Sequence, residues 1–292
     1  MLERVLILGT GLLGSSTGLA LRAAGYTGSI LGWDKDPTQS AISLSLQAID
    51  SVVADPLQAA QASQIILLAG PVYAILDWME QLSPVLGPEH LVTDVGSTKA
   101  QITATGNRLF NTSTRASFLP GHPMAGKEVS GAAVADAELF HNAVWIFTSD
   151  IGTDGYTEER TSPYAAGLAF EWVQWVRAFG CRIMELEASR HDELVAWVSH
   201  LPQFLSTALT ALIETELGDA PELKVVGGRA LREMTRLGSS PYSMWRDVAL
   251  TNTEAVATAI QALEQRLAHL RENLRTPELR DEFDLANRFR KS

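Results

Sequence analysis

Residues 7–21 read ILGTGLLGSSTGLAL, a run that starts as a buried strand, continues as a helix and carries Gly9, Gly11 and Gly14 across the junction. Glycine weakens both kinds of element, so its placement there needs a physical reason. Gly9-Thr10-Gly11-Leu12-Leu13-Gly14 fits G-x-G-x-x-G at a strand-to-helix turn. In that reading Gly9 permits the tight turn, Gly11 lets backbone approach a pyrophosphate, and Gly14 lets the helix pack closely on the strand. The phosphate would sit beside Leu12 and Leu13 at the helix N-terminus, where unpaired N–H groups and the helix dipole favour negative charge. Alone, the motif reads equally well as a glycine-rich turn, and its context decides.

That context is a regular alternation. RVLILG, SILGWD, QIILLAGP and HLVTDVG are short apolar runs, separated by the helical stretches LGSSTGLALRAAG, Pro37 to Leu46, YAILDWMEQLSPVL and, after the last run, STKAQITATGNRL. Strands that are apolar throughout and alternate with helices predict a parallel sheet covered on both faces, a doubly wound α/β domain. ASFLPGHP and AVWIFTS extend it. SILGWD reads as the second strand and ends in Asp34, about 20 residues past Gly14, where a carboxylate would accept hydrogen bonds from a ribose diol. The 2′-phosphate of NADP would meet Asp34 at close range, a like-charge penalty of roughly 4 kcal/mol at an effective dielectric near 20. NAD is therefore the expected cofactor, and Lys35 next door leaves NADP possible.

Ligands of such sheets bind at the C-terminal edge, and three further stretches are expected there. LLAGPVYA puts Gly70 and Pro71 after a strand, TDVGSTKA puts Gly96 and Ser97 after the next, and LPGHPMAGKEVSG puts His122 after another. Asp94 and Ser97 read as caps of a helix that begins near Thr98. His122, bracketed by a proline and glycines in a loop, is of the residue type that acts as a base near neutral pH.

Composition bounds the remainder. With 292 residues the chain is long enough for two domains, placed at 1–153 and 154–292, and its 46% hydrophobic and 20% charged residues suit a globular protein. A net charge of −11 argues against nucleic acid or an anionic membrane as partner, which leaves a small molecule. The single cysteine, Cys181, makes no internal disulfide, so a reducing cytoplasm and a core position are expected for it. Glu3 and the poor cleavage region ALRAAGYTG oppose a signal peptide, and no uninterrupted apolar stretch reaches transmembrane length.

From about Tyr156 the pattern turns helical, apart from an extended CRIMEL. Within the long stretch SRHDELVAWVSHLPQFLSTALTALIETEL, Pro202 predicts a kink near Ser199 to Leu201, at His200. His191 and His200 are nine residues apart and would face opposite sides of a straight helix, so no zinc or other metal site is expected. His191-Asp192 reads as a helix start, His200 by itself as a core histidine, and Arg229, Arg232 and Arg236 as solvated helix faces. Val256, Ile260, Leu263, Leu267, Leu270 and Leu274 alternate spacings of four and three, an apolar seam for a bundle contact or a dimer interface. TPELRDEFDLANRFRKS reads as a short charged helix.

Taken together, GTGLLGSS, WDKD, TDVGSTK, PGHPMAGKEVSG, SRHDELVAWVSHLP and MTRLGSSPYSMWRD resemble, in order and spacing, the prephenate/arogenate dehydrogenase family of tyrosine biosynthesis over nearly the whole chain. The resemblance implies an N-terminal Rossmann domain, an all-helical C-terminal domain that forms a homodimer, and an active site in the cleft between them. It implies removal of hydride from C4 of prephenate while a base takes the 4-hydroxyl proton. The carbonyl so formed accepts the electrons of the breaking C–C bond, carbon dioxide leaves and the ring becomes aromatic. By the same resemblance His122 is the base or polarising group, and Ser97 holds the hydroxyl and the nicotinamide in register. Arg236 binds a substrate carboxylate with its guanidinium fork, and His200 lines the pocket. Glu128 and Trp245 shape it, Glu128 either ordering Arg236 or gating access. Prephenate with NAD is the first expectation. Arogenate is the alternative, since its amine would be favoured by an acid such as Glu128. A β-hydroxyacid-type dehydrogenase would need a catalytic lysine on the helix SRHDELVAWVSHLPQFL, which has none, and a non-catalytic nucleotide-binding protein would have lost Ser97, His122, His200 and Arg236. No appended regulatory or mutase domain is expected.

Overall fold

Strands apolar on both faces need helices on either side, and the first half of the chain supplies them in alternation. The computed structural model describes residues 2–110, 112–149 and 167–291. Its first elements are β1 (Arg4–Leu8), α1 (Leu12–Ala23), β2 (Ser29–Trp33), α2 (Pro37–Ser45), β3 (Ser51–Val52), α3 (Pro56–Gln61), β4 (Ile65–Leu68), α4 (Val72–Leu82), β5 (Leu91–Asp94), α5 (Ala100–Leu109) and β6 (Ser117–Leu119). Six strands form one parallel sheet in the order β3-β2-β1-β4-β5-β6. This is the doubly wound fold expected from the alternation. The strand order reverses between β1 and β4, and the ends of both strands open on the crevice where such sheets bind ligands. β3 and α3 escape a reading by periodicity. β3 has two residues, and α3 is a six-residue turn set by Pro56 and by Asp55, whose carboxylate accepts from Leu57 N and Gln58 N.

A second, smaller sheet corrects the loop expected around His122. β7 (Gly121–Pro123) pairs antiparallel with β8 (Val144–Ser149), so His122 lies opposite Ile146 in a strand, and β8 pairs parallel with β9 (Arg182–Glu187). CRIMEL is therefore no isolated extended piece in a helical half. Burial explains the attachment: α6 (Gly167–Ala178) brings Trp172, Val173 and Val176 against Trp145, Phe147, Val5 and Ile7, and Phe179, Cys181 and Ile183 complete the same core. The Cys181 thiol, pushed up to about 12 by burial, donates to Phe140 O at 3.4 Å, as befits a core cysteine. The boundary expected between residues 153 and 154 lies outside the described residues.

From Ala188 onward the described elements are helical: α7 (Ala188–Val195), a π-helical turn (Ala196–His200), α8 (Leu201–Leu217), α9 (Leu223–Val226), α10 (Arg229–Thr235), a 3-10 turn (Arg236–Ser239), α11 (Tyr242–Thr251), α12 (Thr253–Glu272) and α13 (Glu278–Lys291). Among the described residues no helix is long and apolar enough to cross a membrane.

Two helices of the nucleotide half take their N-terminal caps from the helical half. The N–H groups of Lys99 and Ala100, at the start of α5, donate to Asp192 of α7 at 2.7 and 2.9 Å. The Tyr73 N–H at the start of α4 donates to Asp247 of α11 at 3.3 Å. The hydroxyls of Thr98 and Thr251 meet at 2.7 Å beside them. Helix N-termini carry orphan N–H groups and partial positive charge, so two carboxylates set across the junction fix how the halves sit. This overturns the reading of Asp94 and Ser97 as caps of α5. Asp94 instead accepts from Gly96 N at 2.8 Å and Gly121 N at 3.1 Å, and pairs with the buried Lys99 ammonium.

Candidate active site

The three glycines of the opening motif meet three different physical demands. Gly9 adopts φ +103°, the left-handed region that favours glycine, and a Cβ there would fall 2.6 Å from Ala69 O. A Cβ on Gly14 would stand 1.9 Å from Gly9 O, so helix and strand lie too close for any side chain. A Cβ on Gly11 would meet nothing within 4 Å. Gly11 is also the N-cap of α1 and offers no side-chain cap, so the first N–H groups of the helix, at Leu12 and Leu13, receive no side-chain cap from it. A pyrophosphate fits that combination of close backbone and open donors. Asp34 follows β2 directly; its carboxylate accepts from Thr10 N at 2.7 Å and Asp36 N at 2.9 Å, tying the glycine loop to the end of β2. Gly70 and Pro71 close the crevice from β4, and Pro71 forms the N-cap of α4.

Across the crevice, the end of β5 and the start of β7 are joined by buried polar groups. Lys99 Nζ donates to Gly121 O at 2.7 Å while Asp94 receives Gly121 N–H. Ser97, half-buried, lies in the turn between Asp94 and Lys99, so it and His122 occupy segments that are bonded together. His122 is nearly buried, and burial first, then the charges of His191, Lys99 and His200, hold its imidazole well below the usual histidine value. It is neutral at pH 7, the state a base requires. His122 Nδ1 lies 2.8 Å from His191 Nε2, and His191 Nδ1 lies 2.8 Å from Asp192 Oδ1. The sequence pattern did not single out His191 and Asp192 as site residues. The signal was available in the adjacent pair on a helix facing the site, but only the fold brings residue 191 to residue 122.

The helix break at Pro202 takes a specific form. Pro202 has no N–H and its ring crowds the carbonyl of Val198, and the chain absorbs both in the π turn from Ala196 to His200. Each residue of a π turn rotates less about the axis, so His191 and His200 do not face opposite sides but enter one buried cluster. Asn252 Nδ2 donates to Asp192 O at 2.8 Å, and because a carbonyl only accepts, the amide orientation is determined. Its second hydrogen then points to His200 Nδ1 at 3.3 Å, which leaves the proton of neutral His200 on Nε2. Burial lowers His200 to about 4. Its Nε2 and Trp245 Nε1 are buried and find no hydrogen-bond partner among the described residues. Unpaired buried donors cost about 1–3 kcal/mol each and suit a ligand that carries acceptor oxygens. Trp245 packs edge-on to His200 and Phe204, with ring centroids at 5.8 and 6.0 Å.

Arg236, in the 3-10 turn after α10, donates to Glu128 Oε2 at 3.0 Å. Both side chains are partly exposed, at 55% and 36%. The Glu128 backbone N–H, then Arg236, hold the Glu128 carboxyl below the usual carboxylate range. Of the arginines read as a solvated face, Arg236 is thus tied to the loop after β7, while Arg229 pairs with Glu233 on its own helix. The structure therefore brings His122, His200 and Trp245 into linked contacts through His191, Asp192 and Asn252, with the Glu128–Arg236 pair bridging the two halves. A groove of about 680 Å³ beside Asp192, lined by Trp197, Leu250, Asn252 and Thr258, holds neither His122 nor Arg236 and is a separate feature of the junction.

Residues 17–159 match the family described as prephenate dehydrogenase, nucleotide-binding domain, and residues 187–290 match that described as prephenate dehydrogenase, dimerization domain. The chain is 30% identical over 267 residues to a prephenate dehydrogenase of Lactococcus lactis subsp. cremoris, covering 91% of this chain and 70% of that protein. The solved prephenate dehydrogenase of Aquifex aeolicus, in complex with hydroxyphenyl propionate and NAD+, is 26% identical with a TM-score of 0.80, covering 100% of this chain and 96% of that one. The Synechocystis arogenate dehydrogenase is 28% identical with a TM-score of 0.73, covering 99% of each chain. With matching domains on both sides of the junction and the histidine, arginine and glycine elements set around it, this chain is an oxidoreductase that belongs to the prephenate dehydrogenase family.

Proposed function

We propose that the chain oxidatively decarboxylates prephenate to 4-hydroxyphenylpyruvate with NAD. The observation that carries this reading is a buried, neutral His122 at the carboxyl edge of a nucleotide-binding sheet, linked through His191, Asp192 and Asn252 to a His200 of the helical half whose Nε2–H finds no partner among the described residues. Gly9, Gly11, Leu12, Leu13 and Gly14 hold the pyrophosphate of the dinucleotide, Asp34 its ribose, and Gly70-Pro71 borders it. Bound there, NAD supplies the hydride acceptor. His122 takes the 4-hydroxyl proton as C4 is oxidised and returns it to the phenolic oxygen once carbon dioxide has left, so no net proton is consumed. Ser97 orients the hydroxyl. His200 and Trp245 direct their N–H groups at substrate oxygens, and Arg236 pairs with a carboxylate as Glu128 yields it. Arogenate is the second reading, favoured by the Glu128 carboxylate beside Arg236, which would pair with the amine that replaces the ketone. The helical half, with Leu267 and Leu274 about half or more exposed, pairs two copies of the chain. The division between the halves belongs near residue 187, where β9 ends.

Initial rates of NADH and NADPH formation with prephenate and with arogenate, in four parallel assays, test the reading. Fast NADH formation with prephenate is expected. Fast turnover of arogenate alone would replace the substrate, and silence in all four from folded protein would reject the reaction.

A further inference from the structure

His122 sits at the end of a buried chain of polar groups that reaches back to a carboxylate. Asp192 Oδ1 lies 2.8 Å from His191 Nδ1, and His191 Nε2 lies 2.8 Å from His122 Nδ1. Asp192 has no freedom to turn away. Its Oδ1 also accepts from Lys99 N and its Oδ2 from Ala100 N, at 2.7 and 2.9 Å, while its backbone carbonyl is held by Asn252. An ionised carboxylate only accepts, so His191 must donate from Nδ1. His191 is fully buried and burial holds it below the ordinary histidine value, so at pH 7 it is neutral and its Nε2 carries a lone pair. That lone pair is aimed at His122 Nδ1, which must then be the protonated nitrogen.

We propose that Asp192 and His191 are positioning residues that lock His122 in the tautomer protonated on Nδ1, leaving Nε2 as the base. Free imidazole side chains distribute the proton over both nitrogens, and a base with its proton on the wrong nitrogen accepts nothing from the substrate. The chain also passes stabilisation outward. When His122 Nε2 takes a proton, the imidazolium donates from Nδ1 to His191, and His191 from Nδ1 to Asp192, so the new charge is answered through two hydrogen bonds without any group moving. Because Asp192 is also the cap of α5, the same carboxylate that sets the tautomer sets the position of the nucleotide half. The tautomer becomes correct only when the two halves are docked. The role in turnover rests on the proposed dehydrogenase reading, whereas the tautomer itself does not.

The test is therefore made first on the unliganded full-length protein. Selective ¹⁵N labelling of histidine, with His122→Asn to identify the resonances of residue 122, reports which ring nitrogen carries the proton at pH 7.5. Protonated Nδ1 and bare Nε2 are expected, and protonated Nε2 in the unaltered protein would overturn the proposal whatever the enzyme turns over. Two variants then separate position from packing. His191→Phe keeps a ring but offers no acceptor, so His122 is expected to move to the Nε2-protonated form and kcat to fall at least about tenfold, with KM changed by less than about threefold. His191→Gln keeps an acceptor oxygen and is expected to restore the Nδ1-protonated form and most of the lost kcat. Equal tautomer and equal kcat in His191→Phe and the unaltered enzyme would also overturn it. If the variants fail to fold, the spectrum of the unaltered protein decides.

Discussion

His122 combines two properties that an exposed histidine lacks: a neutral ring at pH 7 and a fixed partner on Nδ1. Replacing it by Asn removes the proton acceptor while keeping much of the shape, so His122→Asn is expected to lower kcat by about two to four orders of magnitude with little change in KM. An unchanged kcat would remove His122 from the chemistry. In the proposed reading Arg236 acts differently, exchanging its exposed ion pair with Glu128 for a substrate carboxylate rather than losing a partner. Arg236→Gln is expected to raise KM by roughly 10- to 150-fold, the equivalent of about 1.5–3 kcal/mol for a charge-assisted hydrogen bond. Loss of nucleotide affinity alone, measured by fluorescence titration, would place Arg236 elsewhere.

At the scale of elements, the β1–α1 turn separates folding from binding within a few residues. Gly14→Ala forces a Cβ onto the carbonyl of Gly9, where backbone cannot yield. Its Tm is expected to fall by at least about 5 °C. Gly11→Ala places a Cβ where nothing stands within 4 Å. It is expected to leave Tm within about 2 °C and to weaken NAD binding at least about tenfold, since the methyl occupies the approach of the pyrophosphate. Equal effects on stability and binding in both variants, by thermal melting and calorimetry, would refute this division. The π turn before Pro202 is the second element whose local geometry matters, because it rotates His200 toward His191.

The whole molecule is held at its junction by buried groups that resist acid poorly. His200 is lowered to about 4 against about 6.5 in an unfolded chain. Below pH 6.5 the unfolded chain therefore binds protons that the folded one refuses, so the contribution is complete above pH 6.5 and is lost as pH falls toward 4. Unfolding by denaturant at pH 5 is expected to show about 2 kcal/mol less stability than at pH 7.5 from His200 alone. His122 and His191 shift in the same direction. Equal stability at both pH values would mean that these rings are solvated. Leu267 and Leu274, 50% and 64% exposed on the single chain, lie on the seam of α12 and just beyond it. Sedimentation is expected to show a dimer, and Leu267→Glu with Leu274→Glu a monomer; a dimer that persists in the double variant would place the interface on another face.

Local chemistry was legible in the residues themselves. Glycine geometry is a property of single positions, and strands apolar on both faces have only one kind of sheet to enter, so the doubly wound half and its tight glycine turn followed from pattern. His122, His200 and Arg236 stood out because their neighbours form motifs. What no local pattern carries is an encounter between distant segments. CRIMEL joined β8 because α6 needed a core to bury Trp172, and the caps of α4 and α5 came from Asp247 and Asp192, residues 174 and 92–93 positions away. The partner of His122 is likewise 69 residues distant. Hydrogen-bond satisfaction of a helix end or a buried ring is settled by whichever group packing brings within 3 Å. The sequence alone therefore determined which residue types were available to the site, and tertiary packing decided which partner each one meets, with His191 against Nδ1 of His122.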